Sequence, residues 1–167
     1  MTPEEAIQTA LEYEVRIRDL YRDYAEKMTD PVGKRIFKSL GEDEEKHVAY
    51  LTDRLKQWKE TGRLSVEALQ TAIPSREVIE REMGKLETRM SREDRKNEKQ
   101  MLSKALAVEV ETSNIYRKLV DEMSDDWQRM FARFLEIEDG HIGVVQAELD
   151  WISHTGYWLD FKEFDME

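Results

Sequence analysis

Cysteine is missing altogether from this 167-residue chain. Neither a disulfide framework nor a thiolate metal site is therefore available, and the absence fits a reducing, cytoplasmic setting. Glycine and proline number only seven and three, too little punctuation for a succession of short strands and turns. No apolar run approaches the length of a membrane span. The opening MTPEEAIQTA is acidic and lacks the apolar segment of a secretory signal. Basic residues are outnumbered, 26 Lys and Arg against 37 Asp and Glu, for a net charge of −11. With no basic stripe, nucleic acid is a disfavoured partner. An acidic surface attracts cations, although solubility alone accounts for it.

The good helix formers Glu, Lys, Arg, Leu, Ala and Met are plentiful. Charged residues reach 38%, but the apolar ones are spaced at helical intervals, which favours long amphipathic helices over disorder. Four helices are expected near 3–29, 31–60, 92–123 and 125–154. Thr2 with Glu5 reads as a capping box with Pro3 in the first turn. Asp30-Pro31 and Ser124-Asp125 read as turns, and Gly62 and Gly156 as helix stops. Residues 61–91 form a crossover, with a short helix from Pro74-Ser75 to about Met90; Ser91 and Asp94 read as a further capping box. The tail, 157–167, sets Tyr157 or Trp158, Phe161 and Phe164 at helical spacing for packing on the bundle or on a second subunit. The expected domain is thus a bundle over 1–156 plus this tail.

The apolar stripes are Ala6, Ala10, Ile17, Tyr21, Ala25 and Met28; Phe37, Leu40, Leu51, Leu55 and Trp58; Leu102, Ala105, Tyr116, Leu119 and Met123; and Trp127, Phe131, Phe134, Val145, Leu149 and Ile152. Each has a hole filled by residues foreign to a core: Glu14; Glu44 and His47; Glu109 and Thr112; Glu138 and His141. Two of the three histidines follow a glutamate by three positions, which makes them neighbours on one helix face. Glu14 lies 16 residues before Asp30, and Glu44 and His47 lie 14 and 17 after it; Glu109 lies 16 before Asp125, and Glu138 and His141 lie 13 and 16 after it. At about 1.5 Å per residue, the members of each antiparallel hairpin come level. The hairpins repeat: Tyr21 and Met28 follow Glu14 as Tyr116 and Met123 follow Glu109, and Phe37 and Leu51 flank Glu44 as Phe131 and Val145 flank Glu138. A pseudo-two-fold axis would bring two half-sites together. Four buried carboxylates would cost several kcal/mol each without cations, whereas two divalent ions neutralise them. Oxygen and imidazole ligands suit iron or manganese, with zinc also possible.

One Glu from each of two helices and Glu-x-x-His from each of the other two is the pattern of ferritin-like di-metal bundles. At these residues the sequence resembles the rubrerythrin-like branch of the ferritin-like superfamily, over nearly the whole chain. The resemblance implies that Glu44 and Glu138 bridge two iron ions, that Glu14 and Glu109 are terminal ligands, and that His47 and His141 each hold one ion. Tyr21 and Tyr116 would stand just behind the ligands, with Thr112 a small polar residue facing the site. It implies an oxidoreductase reacting with hydrogen peroxide or dioxygen. Two-domain rubrerythrins carry a four-cysteine rubredoxin domain; here electrons would come from an external donor such as a rubredoxin-type protein. Thr112 also stands where the family has an additional glutamate, which puts its redox-linked ligand exchange in question. Ferroxidase or iron-handling activity, or a metal-stabilised bundle that binds another protein, are the alternatives. Exchange of the crossover between subunits would give a homodimer. His154 lies off the stripes near a helix end, and Glu111, Glu136 and Asp139 are expected to face solvent.

Overall fold

A computed structural model describes residues 1–65, 67, 69–83 and 96–161. The helices are α1 (Pro3–Lys27), α2 (Pro31–Thr61), α3 (Arg76–Met83), α4 (Lys96–Glu122) and α5 (Asp125–Thr155). The fold is all-α: α1 packs along α2, α4 along α5, the two hairpins meet chiefly through α1 and α4, and α3 lies on α5. No helix among the described residues is long and apolar enough to cross a membrane.

The punctuation expected from the sequence sets the helix ends. Thr2 accepts from the Glu5 amide and the Glu5 carboxylate accepts from the Thr2 amide, completing the capping box. Asp30 accepts from the amides of Val32 and Gly33 at the head of α2. Gly62 and Gly156 close α2 and α5 in the left-handed conformation, at φ 65° and 77°. Ser124 precedes α5, but its side chain makes no capping bond. The expected capping pair Ser91 and Asp94, the start of the third long helix at 92, the continuation of the short helix to Met90, and Phe164 lie outside the described residues.

The core is split in two. One cluster contains Ile17, Tyr21, Phe37, Leu40, Ala105, Val108, Val144 and Val145. The other contains Ala10, Leu51, Tyr116, Phe131, Phe134 and Ile137. On α1 the boundary falls between Ala10 and Ile17, on α2 between Leu40 and Leu51, on α4 between Val108 and Tyr116, and on α5 between Ile137 and Val144. Those are the intervals in which the apolar stripes are broken by acids and histidines.

After Gly62 the chain crosses from α2 to α5. Tyr50 on α2 donates to the Glu67 carbonyl at 2.8 Å, and Arg133 on α5 donates to the Leu69 carbonyl at 3.1 Å. The crossing is tight at Gly140, where an added Cβ would lie 2.7 Å from the Pro74 carbonyl oxygen. Asp139, expected to be solvated, is half-exposed and pairs with Arg76 at the start of α3 at 2.9 Å. It fastens the crossover to α5. The tail turns back onto the start of α2: Trp158 and Phe161 are buried and Tyr157 is exposed. The Trp158 indole sits where a Cβ on Gly33 would be and stands edge-on to Phe37 at 5.3 Å. Glu148 on α5 is buried beneath the tail and accepts the Leu159 amide at 3.0 Å. His154 is exposed, its Nδ1 against the Asp150 carbonyl one turn back.

Two predictions follow from this packing. Gly140→Ala places a methyl against a backbone carbonyl and should destabilise by about 1–3 kcal/mol despite the roughly 1 kcal/mol helix-propensity gain. Gly41→Ala, whose nearest neighbour would be at an ordinary 3.4 Å, should instead hold or raise Tm. Thermal melts of the two variants check the contrast, and equal effects would contradict the tight crossing. Burial pushes the Glu148 carboxyl well above its ordinary 4.5, the Leu159 amide offsets this only in part, and Asp160 and Asp30 add to it. Its contribution to stability is therefore complete below about pH 4.5 and falls as pH rises toward the folded-state value. Glu148→Gln should raise Tm relative to wild type more at pH 8 than at pH 5; a constant gap would show that Glu148 is not the cause.

Candidate metal centre

Glu14 from α1, Glu44 and His47 from α2, Glu109 from α4, and Glu138 and His141 from α5 are all fully buried. They form two groups, Glu14, Glu44, His47 and Glu138 in one and Glu44, Glu109, Glu138 and His141 in the other. Within each, one ligand atom per residue lies within 4.8 Å of the rest. Both groups contain Glu44 and Glu138. His47 presents Nδ1 to Glu44 at 3.2 Å, Glu138 at 3.3 Å and Glu14 at 3.4 Å. His141 presents Nδ1 to Glu44 at 2.6 Å, Glu109 at 3.3 Å and Glu138 at 3.7 Å. The imidazoles stack 5.5 Å apart with planes 15° from parallel.

The two tyrosines cross over between hairpins. Tyr21 on α1 donates to Glu109 on α4 at 2.6 Å, and Tyr116 on α4 donates to Glu14 on α1 at 2.5 Å. Arg16 and Glu111, each two residues beyond the equivalent glutamates, pair at 3.1 Å on the surface. Such reciprocity between equivalent residues is what a pseudo-two-fold axis between α1 and α4 produces. Thr112 is buried beside the site, but its hydroxyl donates to the Val108 carbonyl at 2.8 Å, a bond to its own helix.

Sequence reasoning missed Asp43. It is buried, and its Oδ2 lies 2.7 Å from His141 Nε2 and 3.5 Å from His47 Nε2. Thr71 donates its hydroxyl to the same oxygen at 2.6 Å, and the Ala72 amide donates to Oδ1 at 3.2 Å. The available signal was an acid four residues before His47, hence on its side of the helix. It lay hidden in the acidic run Glu42-Asp43-Glu44-Glu45.

Electrostatics identify what the cluster needs. Burial, reinforced by the Glu14 charge, pushes Glu44 up to about 8. Burial with the Glu44, Glu14 and Glu109 charges pushes Glu138 well above the usual range. Glu14 is held at about 2: burial would raise it, but the charge of His47, close polar contacts with Glu44 and His47, and the Tyr116 hydrogen bond prevail. Both histidines are raised well above their usual value by the surrounding carboxylates, against the opposing effect of burial. Protons are thus doing part of the work of cations. Among the described residues, eleven buried side-chain polar atoms lack a hydrogen bond, and eight belong to Glu14, Glu44, His47, Glu109 and Glu138. Buried polar atoms are seldom left so. Oxygen and imidazole donors this close together, most of their polar atoms without a hydrogen bond, fit a pair of divalent ions.

The bundle and its buried carboxylate–imidazole cluster define the ferritin-like class of di-metal proteins. Within it, the chain belongs to the rubrerythrin family, whose model, described as "Rubrerythrin", matches residues 5–142 and so spans all six glutamates and histidines of the cluster. No curated protein and no solved structure matched the chain.

Glu138→Gln removes a carboxyl that burial disfavours, so the metal-free variant should melt at or above wild type at pH 7. Mn(II) should raise the wild-type Tm, by about 2.7 kcal/mol of binding stabilisation at a hundredfold excess over Kd, and raise that of the variant much less. Differential scanning fluorimetry with and without Mn(II) reads both. A metal-free variant far below wild type would show that Glu138 stabilises the bundle by itself.

Proposed function

We propose that Glu14, Glu44, His47, Glu109, Glu138 and His141 hold two iron ions, Glu44 and Glu138 serving both, and that the protein reduces hydrogen peroxide in defence against oxidative stress. The observation that carries this reading is the pair of Glu/His groups sharing Glu44 and Glu138, rich in buried oxygens without partners. Membership of the rubrerythrin family supports a peroxide substrate. When bound in the ferrous state, the ions supply two electrons that, with two protons, convert hydrogen peroxide to two molecules of water.

The chain's own part is containment and positioning. All six side chains are closed from solvent, so a reactant the size of peroxide or dioxygen suits the site better than a larger organic molecule. Nδ1 of each histidine faces the carboxylates, so once its proton is displaced the nitrogen presents its lone pair to the space they surround. Tyr21 and Tyr116 fix the two terminal glutamates by hydrogen bonds and keep a phenolic proton at each. Burial and the adjacent carboxylates hold both phenols well above their usual range, so both remain protonated. Thr112 offers no carboxylate, and its hydroxyl is committed to the backbone; the proposed ligand set therefore comprises the six glutamates and histidines alone. These 167 residues hold no cysteine to bind a rubredoxin-type iron, and on this reading the electrons come from outside them, from a donor such as a rubredoxin-type protein.

Stopped-flow mixing of the anaerobic protein, loaded with two equivalents of Fe(II), against hydrogen peroxide tests this. Ferric absorbance should appear at least about tenfold faster than for iron in buffer, a difference of about 1.4 kcal/mol in barrier. The double variant Glu44→Ala with Glu138→Ala should lose it. Oxidation no faster than that of buffer iron sinks the peroxidase reading, and faster reaction with dioxygen than with peroxide would favour iron oxidation as the task.

A further inference from the structure

The duplicated half-sites are not equal, and the inequality lies in Asp43. His141 Nε2 is 2.7 Å from Asp43 Oδ2, while His47 Nε2 is 3.5 Å away and has no hydrogen-bond partner. The position equivalent to Asp43 in the second hairpin, one residue before Glu138, is Ile137, a buried apolar side chain. The single carboxylate therefore serves one imidazole well and the other poorly. His47 instead meets the edge of Phe134, with ring centres 5.2 Å apart.

Asp43 is itself held rigidly. Its Oδ2 accepts the Thr71 hydroxyl and its Oδ1 the Ala72 amide, both from the crossover. Those bonds, with the His141 contact, use both oxygens, so the carboxylate serves as an anchor rather than as an additional metal ligand. An imidazole donating one N–H to a carboxylate has its tautomer and ring orientation fixed, and its other nitrogen becomes a better ligand. His141 has its Nε2 held in this way before any ion arrives, with Nδ1 facing Glu44, Glu109 and Glu138. His47 also turns Nδ1 toward carboxylates, but no acid is bonded to its Nε2 to fix the tautomer.

We propose that Asp43, clamped by Thr71 and Ala72, is a positioning residue for His141, so that the Glu109–His141 half of the centre binds its ion first and more tightly than the Glu14–His47 half. This inference rests on the di-metal reading above and assigns an order of loading to the same centre.

Titration of the metal-free protein with Co(II), followed by visible absorption and equilibrium dialysis, tests it. Wild type should bind two equivalents in two resolved steps about tenfold or more apart. His141→Ala should abolish the tight step, and His47→Ala should retain it. Asp43→Asn should weaken the first step by about 10–100-fold with much less effect on the second. Thr71→Val, which touches no ligand, should weaken the first step in the same direction and serves if Asp43→Asn fails to fold. Two indistinguishable steps in wild type, a tight step lost with His47 rather than His141, a third equivalent that vanishes in Asp43→Asn, or a first step unmoved in both Asp43→Asn and Thr71→Val would each overturn the proposal while leaving the di-metal centre standing. Failure of wild type to bind two equivalents at all would instead overturn the di-metal reading, and this inference with it.

Discussion

Four carboxylates buried in a helical core govern this molecule. A buried acid is tolerated only when protonated or matched by positive charge, and Glu14, Glu44, Glu109 and Glu138 stand too close together for independent solutions. Much of the architecture is arranged around that demand. Each long helix contributes a glutamate at the same level, so no helix can slide by a turn without stranding one. Tyr21 donates to Glu109 and Tyr116 to Glu14, each in the other hairpin, so the hairpins are joined at the point of greatest electrostatic stress. The apolar core exists as two separate clusters because the polar layer passes through all four helices between them.

The glutamates and histidines were legible in the sequence for a simple physical reason: a helix that buries one face reports every residue on that face through its period. An interruption by Glu14, or by Glu44 and His47, is conspicuous against leucine, phenylalanine and alanine. The repeat of the same interruptions after nearly a hundred residues showed that they belong to one centre. The helix ends were legible because capping chemistry is local: Thr2, Asp30, Gly62 and Gly156 act on their immediate neighbours.

Asp43 and the path of the crossover were not legible, for the converse reason. Asp43 stands beside the ligand stripe among other acids, and only Thr71, Ala72 and His141, distant in sequence, distinguish it from a solvated neighbour such as Glu42. Residues 62–75 have no period to betray which side of the bundle they cover. Their route depends on Gly140 admitting the Pro74 carbonyl, on Arg133 reaching Leu69, and on Asp139 meeting Arg76. Asp139 was expected in solvent because its helix alone gives it no partner. These are tertiary choices, and the motif Glu138-Asp139-Gly140-His141 contains two of their participants, Asp139 and Gly140, side by side.

The surface pair of Arg16 and Glu111 carries a historical implication. Residues that lie beside a two-fold axis meet their own equivalents across it, so in an association of identical hairpins the side chain at this position would meet itself, arginine against arginine or glutamate against glutamate. Opposite charges across the axis become available only once the copies share one polypeptide and can diverge separately. A hairpin that paired with its own copy from another molecule would bring like charges together at this point, so the pair favours the hairpins' union within one chain.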